Sequence, residues 1–160
     1  MNDVRIRAAE PEDADAVADV FIASFGTLTF LPKLHTDEET VDFITNTVLR
    51  EHEVLVAELD GRIAGFAAMS KGDLLEHLYV DPDLQGRGIG SELLRRAKER
   101  MPHGFRLWVF QANAQARRFY ERHGLRVVEL TDGAGNEERT PDALYEWEPD
   151  ATDRRRPVAR

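Results

Sequence analysis

With 160 residues, 42% of them hydrophobic, the chain has material for one domain with a buried core, and no apolar run approaches the roughly 20 residues a membrane span needs. A formal net charge of -9 argues against a general nucleic-acid binder, whose affinity begins with Lys and Arg neutralising phosphates, and suits cationic partners such as amines. The absence of cysteine excludes disulfides, thiolate metal sites and a cysteine acyl-enzyme.

The start of the chain has no basic segment followed by an apolar stretch, so a cytoplasmic protein without a membrane partner is expected. Residues 4–9 read as a strand, and Pro11-Glu12-Asp13 opens a helix with Val17, Val20, Phe21 and Phe25 at helical spacing. A loop over 26–35 follows, and then Thr36 with Glu39 forms a capping-box signal for a helix carrying Val41, Ile44 and Val48. Strands 54–59 and 63–69 are joined by Asp60-Gly61, a dipeptide that supplies positive φ in a tight hairpin. Lys71-Gly72-Asp73 turns into a strand over 74–80, which ends at Asp81-Pro82 because proline cannot donate to a ladder. A helix then runs from Gly90 to about Arg100, a strand over 105–110, a helix near 112–122 and a strand over 125–130 after Gly124. The helix between strands 74–80 and 105–110 lets those two lie parallel. A last strand is expected over 144–147. Residues 1–150 are thus expected to form a single domain, with 151–160 a frayed tail lacking any periodicity.

The strongest local signal is Gln85-Gly86-Arg87-Gly88-Ile89-Gly90 followed by Ser91, where a strand hands over to a helix. Backbone N–H groups there lack partners, glycine permits close approach, and the helix dipole adds positive potential, so a pyrophosphate fits. A glycine pattern that only shapes a tight turn is the alternative. No Gly-Lys-Ser/Thr follows, and Ser91 stands where a dinucleotide fold places its third glycine, which sets ATP and NAD aside.

Leu78-Tyr79-Val80-Asp81-Pro82, followed by Gln85 to Gly90, resembles the acetyl-CoA signature of the GCN5-related N-acetyltransferase (GNAT) superfamily. Asn113 and Phe119-Tyr120-Glu121-Arg122-His123-Gly124-Leu125 resemble its second element, and the order of strands and helices agrees from Arg5 to Trp147. The resemblance implies an α/β GNAT fold. Its mixed, mostly antiparallel sheet of six to seven strands would splay between the fourth and fifth and carry about four flanking helices. It further implies that the chain binds acetyl-CoA and transfers the acetyl group to a primary amine of a small molecule or peptide by direct attack in a ternary complex. A non-catalytic acyl-CoA sensor is the other reading.

On that resemblance Leu78, Tyr79 and Val80 pair with the pantetheine arm, amides from Gly86 to Ser91, with Arg87, Gly88, Ile89 and Gly90 among them, hold the pyrophosphate, Gln85 before them also binds the cofactor, and Asn113 bonds the pantetheine. Arg87, Arg117 and Arg118 are candidates for the nucleotide phosphates. Three chemical tasks remain: polarising the carbonyl, deprotonating the ammonium and protonating the thiolate. A backbone N–H near Val80 suits the first and Tyr120 the last. For the base, Glu76 and His77 interrupt an apolar strand, and strict alternation would put Glu76 on the face of Leu78 and Val80. The place where some members carry a glutamate on the fifth strand is here Trp108, which accepts no proton.

Asn136, Glu137 and Glu138, in the polar segment before the last strand, together with Phe30 and His35, are expected to line the acceptor pocket. The five histidines lack the spacing of a metal site, and whether the chain pairs into homodimers stays open.

Overall fold

A computed structural model describes residues 3–149; the expected tail at 151–160 lies outside them. Seven strands form one sheet in the order β1-β2-β3-β4-β5-β7-β6: β1 (Val4–Ala8), β2 (Glu53–Leu59), β3 (Arg62–Ser70), β4 (Leu74–Val80), β5 (Phe105–Phe110), β6 (Arg126–Leu130) and β7 (Asp142–Trp147). All neighbours are antiparallel except β4 and β5, which are parallel. This is the mixed α/β architecture expected.

Local chemistry explains most boundaries. A 3-10 turn over Pro11–Asp13 precedes helix α1 (Ala14–Phe25). Thr36 caps α2 (Asp37–Phe43): its hydroxyl accepts from the Glu39 amide at 3.1 Å, and Glu39 accepts from the Thr36 amide at 2.8 Å. The helix expected there is not uniform, because a π-helical stretch over Ile44–Val48 and a short turn over Leu49–Glu51 complete it. Asp60 and Gly61 both take positive φ, 54° and 77°, the pair of angles a two-residue hairpin demands. Helix α3 spans Ile89–Arg100, and α4 spans Ala114–Arg122. The latter starts two residues later than expected, because the Asn113 side chain accepts from the Ala116 amide at 3.2 Å and thereby caps it. Strand β7 begins two residues early, since Asp142 pairs with Phe110.

The runs Val54-Leu55-Val56-Ala57 and Phe66-Ala67-Ala68-Met69 are buried on both faces. One face packs on Val17 and Val20 of α1 with Ile44 and Val48. The other packs on Leu93, Leu94 and Ala97 of α3, where Leu107, Val109 and Tyr120 continue the core. Strand β5 buries Phe105, Leu107 and Val109 towards α3 and α4 but leaves Arg106 and Trp108 exposed. The face of the half-sheet opposite α3 and α4 is therefore open beside β5.

Candidate active site

Strand β4 pairs with β3 as far as Gly65 opposite Val80, but meets β5 only at Leu74 opposite Arg106. Beyond that point the two strands separate, and a cleft of about 620 Å³ opens between Leu78, Tyr79 and Val80 on one side and Leu107, Trp108 and Val109 on the other. The Val80 carbonyl accepts the Ser24 hydroxyl of α1 at 2.8 Å, which fixes the end of β4 against that helix.

The glycine loop forms the next wall. Gly86 and Gly88 both have φ of 82°, a left-handed conformation that a side chain at either place would strain. Gly88 is the N-cap of α3 and offers no side-chain acceptor, so the first-turn amides of α3 keep their donors free of a cap; the amide of Glu92 bonds Gly88. At Gly90 the reason for glycine differs. A Cβ there would lie 3.3 Å from the Phe119 ring, so the absent side chain lets α3 approach α4.

Of the arginines expected near phosphates, Arg118 lines the cleft, joined by Arg122 one turn later on α4. Arg122 escaped the sequence reading, although its i+4 spacing from Arg118 was visible. Arg117 points elsewhere: its Nε donates to the Tyr145 hydroxyl at 2.9 Å, and that hydroxyl donates to Glu121 at 2.6 Å. Arg87 is exposed and does not line the cleft. Ser91 lines it, with its Oγ 3.0 Å from His123 Nε2. His123 Nδ1 lies 2.8 Å from the Phe119 carbonyl, which only accepts, so in the neutral ring Nε2 receives the Ser91 proton.

Tyr120 and Asn113 both line the cleft from the α4 side, along with Gln85 and Ile89. Burial pushes the Tyr120 phenol above its ordinary value near 10, with a smaller contribution from Tyr79. Tyr79 itself is pushed up to about 12, by burial first and by the nearby Glu138 carboxylate second. Both phenols thus stay protonated at neutral pH.

Glu76 and His77 border the cleft as well. Register overturns the expectation that Glu76 shares a face with Leu78 and Val80 by simple alternation. His77 faces Ala68 and Leu75 faces Met69, which leaves Glu76 as the extra residue of a bulge. Leu75, Leu78 and Val80 accordingly pack on one core while Tyr79 packs on the other. The bulged Glu76 is exposed and accepts the Ser70 hydroxyl at 2.7 Å. His77 sits among the rings of Phe21, Phe43, Phe66 and Tyr79 at 5.8–6.3 Å, and its buried Nδ1 has no hydrogen-bond partner. Burial, with the nearby His52 adding to it and Glu76 opposing, lowers its pKa to about 4.

The two segments expected to form acceptor walls come together, although Phe30, His35, Glu137 and Glu138 do not themselves line the cleft. His35 Nε2 contacts Glu137 Oε1, and the Phe30 ring meets Phe110 edge-on at 6.0 Å. Asn136 does not reach the cleft: its side chain bonds Thr140 and Asp142 inside its own loop. Ser24, Thr27 and Leu28 also line it, and none of them carried a sequence signal for it; Trp108, at the place of the family glutamate, lines it as well. The cleft therefore extends from the glycine loop, Arg118 and Arg122 to Glu76, Trp108 and Phe110.

Residues 16–125 match the model of the acetyltransferase (GNAT) family. The chain belongs to that family. It is 31% identical over 150 residues to an uncharacterized N-acetyltransferase of Archaeoglobus fulgidus, covering 84% of this chain and 100% of that one. It is also 26% identical over 142 residues to the peptidyl-lysine N-acetyltransferase YiaC of Escherichia coli, covering 89% and 95% of the two chains. Among solved structures, apo YjaB from Escherichia coli superposes with a TM-score of 0.75 at 24% identity, covering 91% of this chain and 97% of that one. The PaiA N-acetyltransferase of Thermoplasma acidophilum, in complex with coenzyme A, gives 0.72 at 23% identity, covering 91% and 99%. As a GNAT member the chain is an acetyl-CoA-dependent N-acetyltransferase. No helix among the described residues is long and apolar enough to cross a membrane.

Proposed function

We propose that this acetyltransferase modifies the ε-amine of lysine in peptides or proteins. The observation that carries the reading is the apolar passage past Leu107, Trp108 and Phe110 in the cleft, bordered by Glu76 and with the Glu138 carboxylate near Tyr79. Such a passage suits a long aliphatic stem with a cationic tip, and the likeness to YiaC, a peptidyl-lysine N-acetyltransferase, supports it. The same reading puts the enzyme with its acyl donor in the cytoplasm.

Acetyl-CoA supplies the thioester. Amides from Gly86 to Ser91 bind its pyrophosphate, with Arg118 and Arg122 alongside; Gln85 and Ile89 flank them, and Leu78, Tyr79, Val80 and Asn113 border the pantetheine arm. The lysine nitrogen forms a bond to the acetyl carbon, and a β4 amide near Val80 receives the developing oxyanion. When the C–S bond breaks, Tyr120 donates a hydrogen bond to the departing thiolate and passes its proton to it as water in the cleft, taking the proton from Glu76, reprotonates the phenol.

The proton lost by the ammonium goes to Glu76, directly or through water at the open mouth. His77 Nδ1 is buried among aromatic rings whereas Glu76 is exposed at the border of the cleft, which assigns His77 to shaping β4 rather than to proton transfer. The bulge is what turns Glu76 out of the apolar cores.

The test is incubation with acetyl-CoA and a blocked peptide containing one lysine, followed by mass spectrometry. Acetylation at the lysine Nε is expected, and none of the Lys→Arg peptide. Turnover of polyamines or free amino acids with no acetylated peptide would refute the lysine reading.

A further inference from the structure

A second pocket, of about 420 Å³, adjoins the cleft on the open side of β5. Trp108, Val109 and Phe110 line both cavities, and Thr131, Gly135, Asn136 and Asp142 close the second. Its chemistry is unusual in one respect. Asp142 is only 9% exposed, and it is the buried carboxylate among the described residues. One of its oxygens accepts the Thr131 hydroxyl and the other the Asn136 amide at 3.0 Å; both donors are neutral. No ion pair reaches it among the described residues.

A buried carboxylate served by neutral donors alone keeps an unmet preference for a cation. The loop's own hydrogen bonds do not require that charge, since hydroxyl and amide donors are also satisfied by a neutral acceptor. Beside it stands Trp108, 47% exposed despite its size. Phe110 pairs with Asp142 and Trp108 with Leu144, so the indole is the diagonal neighbour of the carboxylate on one face of the sheet. An anion and an aromatic face around one cavity form a receptor for an ammonium or guanidinium group.

We propose that this pocket holds a second cationic side chain of the acceptor, so that lysines with Arg or Lys two residues away are the preferred sites. The proposal rests on the lysine-peptide reading and adds a sequence preference to it. Because Trp108 belongs to both cavities, a lysine in the cleft and a basic neighbour in the second pocket lie on either side of one strand. In an extended peptide, side chains two residues apart project from one face about 7 Å apart, and the shared Trp108 sets the two cavities side by side.

Two blocked peptides test it, identical except for Arg or Gln two residues from the single lysine, with kcat/KM measured for each. The wild-type protein is expected to favour the Arg peptide by about tenfold, mainly through KM. Trp108→Leu and, independently, Asp142→Asn should each reduce that ratio to about threefold or less, with thermal melting used to check folding. Trp108 is exposed, so its variant reports even if the Asp142 variant loses its loop. Equal rates on the two peptides, or a preference that survives in folded Trp108→Leu, would overturn the second-cation pocket while leaving lysine acetylation standing. Turnover of neither peptide would remove both.

Discussion

The Ser24 hydroxyl donates to the Val80 carbonyl at 2.8 Å, tying the last turn of α1 to the last residue of β4 at the edge of the cleft. Ser24 is 7% exposed, so little water replaces that donor. Ser24→Ala should cost about 0.5–1.5 kcal/mol in stability, because the carbonyl is left with only the long contact from the Gln85 side-chain amide at 3.5 Å. It should also raise KM for acetyl-CoA several-fold by loosening the end of β4. Urea denaturation and steady-state kinetics check both; unchanged values would show that β4 holds its place without α1.

At Gly88 the conformation and the charge both matter. Open space surrounds the absent side chain, but φ is 82°. Gly88→Ala should therefore lose about 1–2 kcal/mol through strain alone. Gly88→Asp adds an anion at the N-terminus of α3, where a diphosphate is to sit, and should abolish coenzyme A binding in calorimetry. Binding at wild-type strength would remove the pyrophosphate from this loop.

Tyr120→Phe removes a phenol that remains protonated across the working range. We expect kcat to fall about 10- to 100-fold with little change in KM for acetyl-CoA, the pattern of a group used in the transition state. A retained kcat would assign Tyr120 to the core alone, where its ring neighbours Phe119 and Tyr145 already place part of it.

For His77, burial places the folded-state pKa near 4, below the value near 6.5 of a free histidine. As pH falls through 6.5 the unfolded chain takes up this proton while the folded one does not. The contribution to stability is thus intact above about 6.5 and is lost progressively towards 4. His52 and Glu76 are the charged neighbours that modulate it. Between pH 7 and 5 the urea midpoint of the wild-type protein should drop further than that of His77→Phe; equal drops would show that other groups govern the acid side.

Some of the site was legible because its signals are local. Asp60-Gly61, the Thr36 and Glu39 cap and the glycines of the loop each prescribe a conformation within a few residues, and the structure shows those conformations. Glu76 was misplaced because a bulge is a property of two strands: only pairing with β3 reveals that it has no partner. Arg117 and Arg118 are adjacent and chemically identical, yet Tyr145, 28 residues away, captures one and leaves the other to the cleft.

The amino-acid sequence alone determined the alternation of strands and helices, the tight turns and the amide-rich bend before α3, since φ preferences, caps and apolar periods act over a turn or two. The tertiary structure decided how far β4 and β5 separate, which charges face the opening and how Trp108 comes to stand beside Asp142. Those outcomes depend on β7 entering the sheet between β5 and β6, an arrangement set by burial of whole faces rather than by any short stretch of chain.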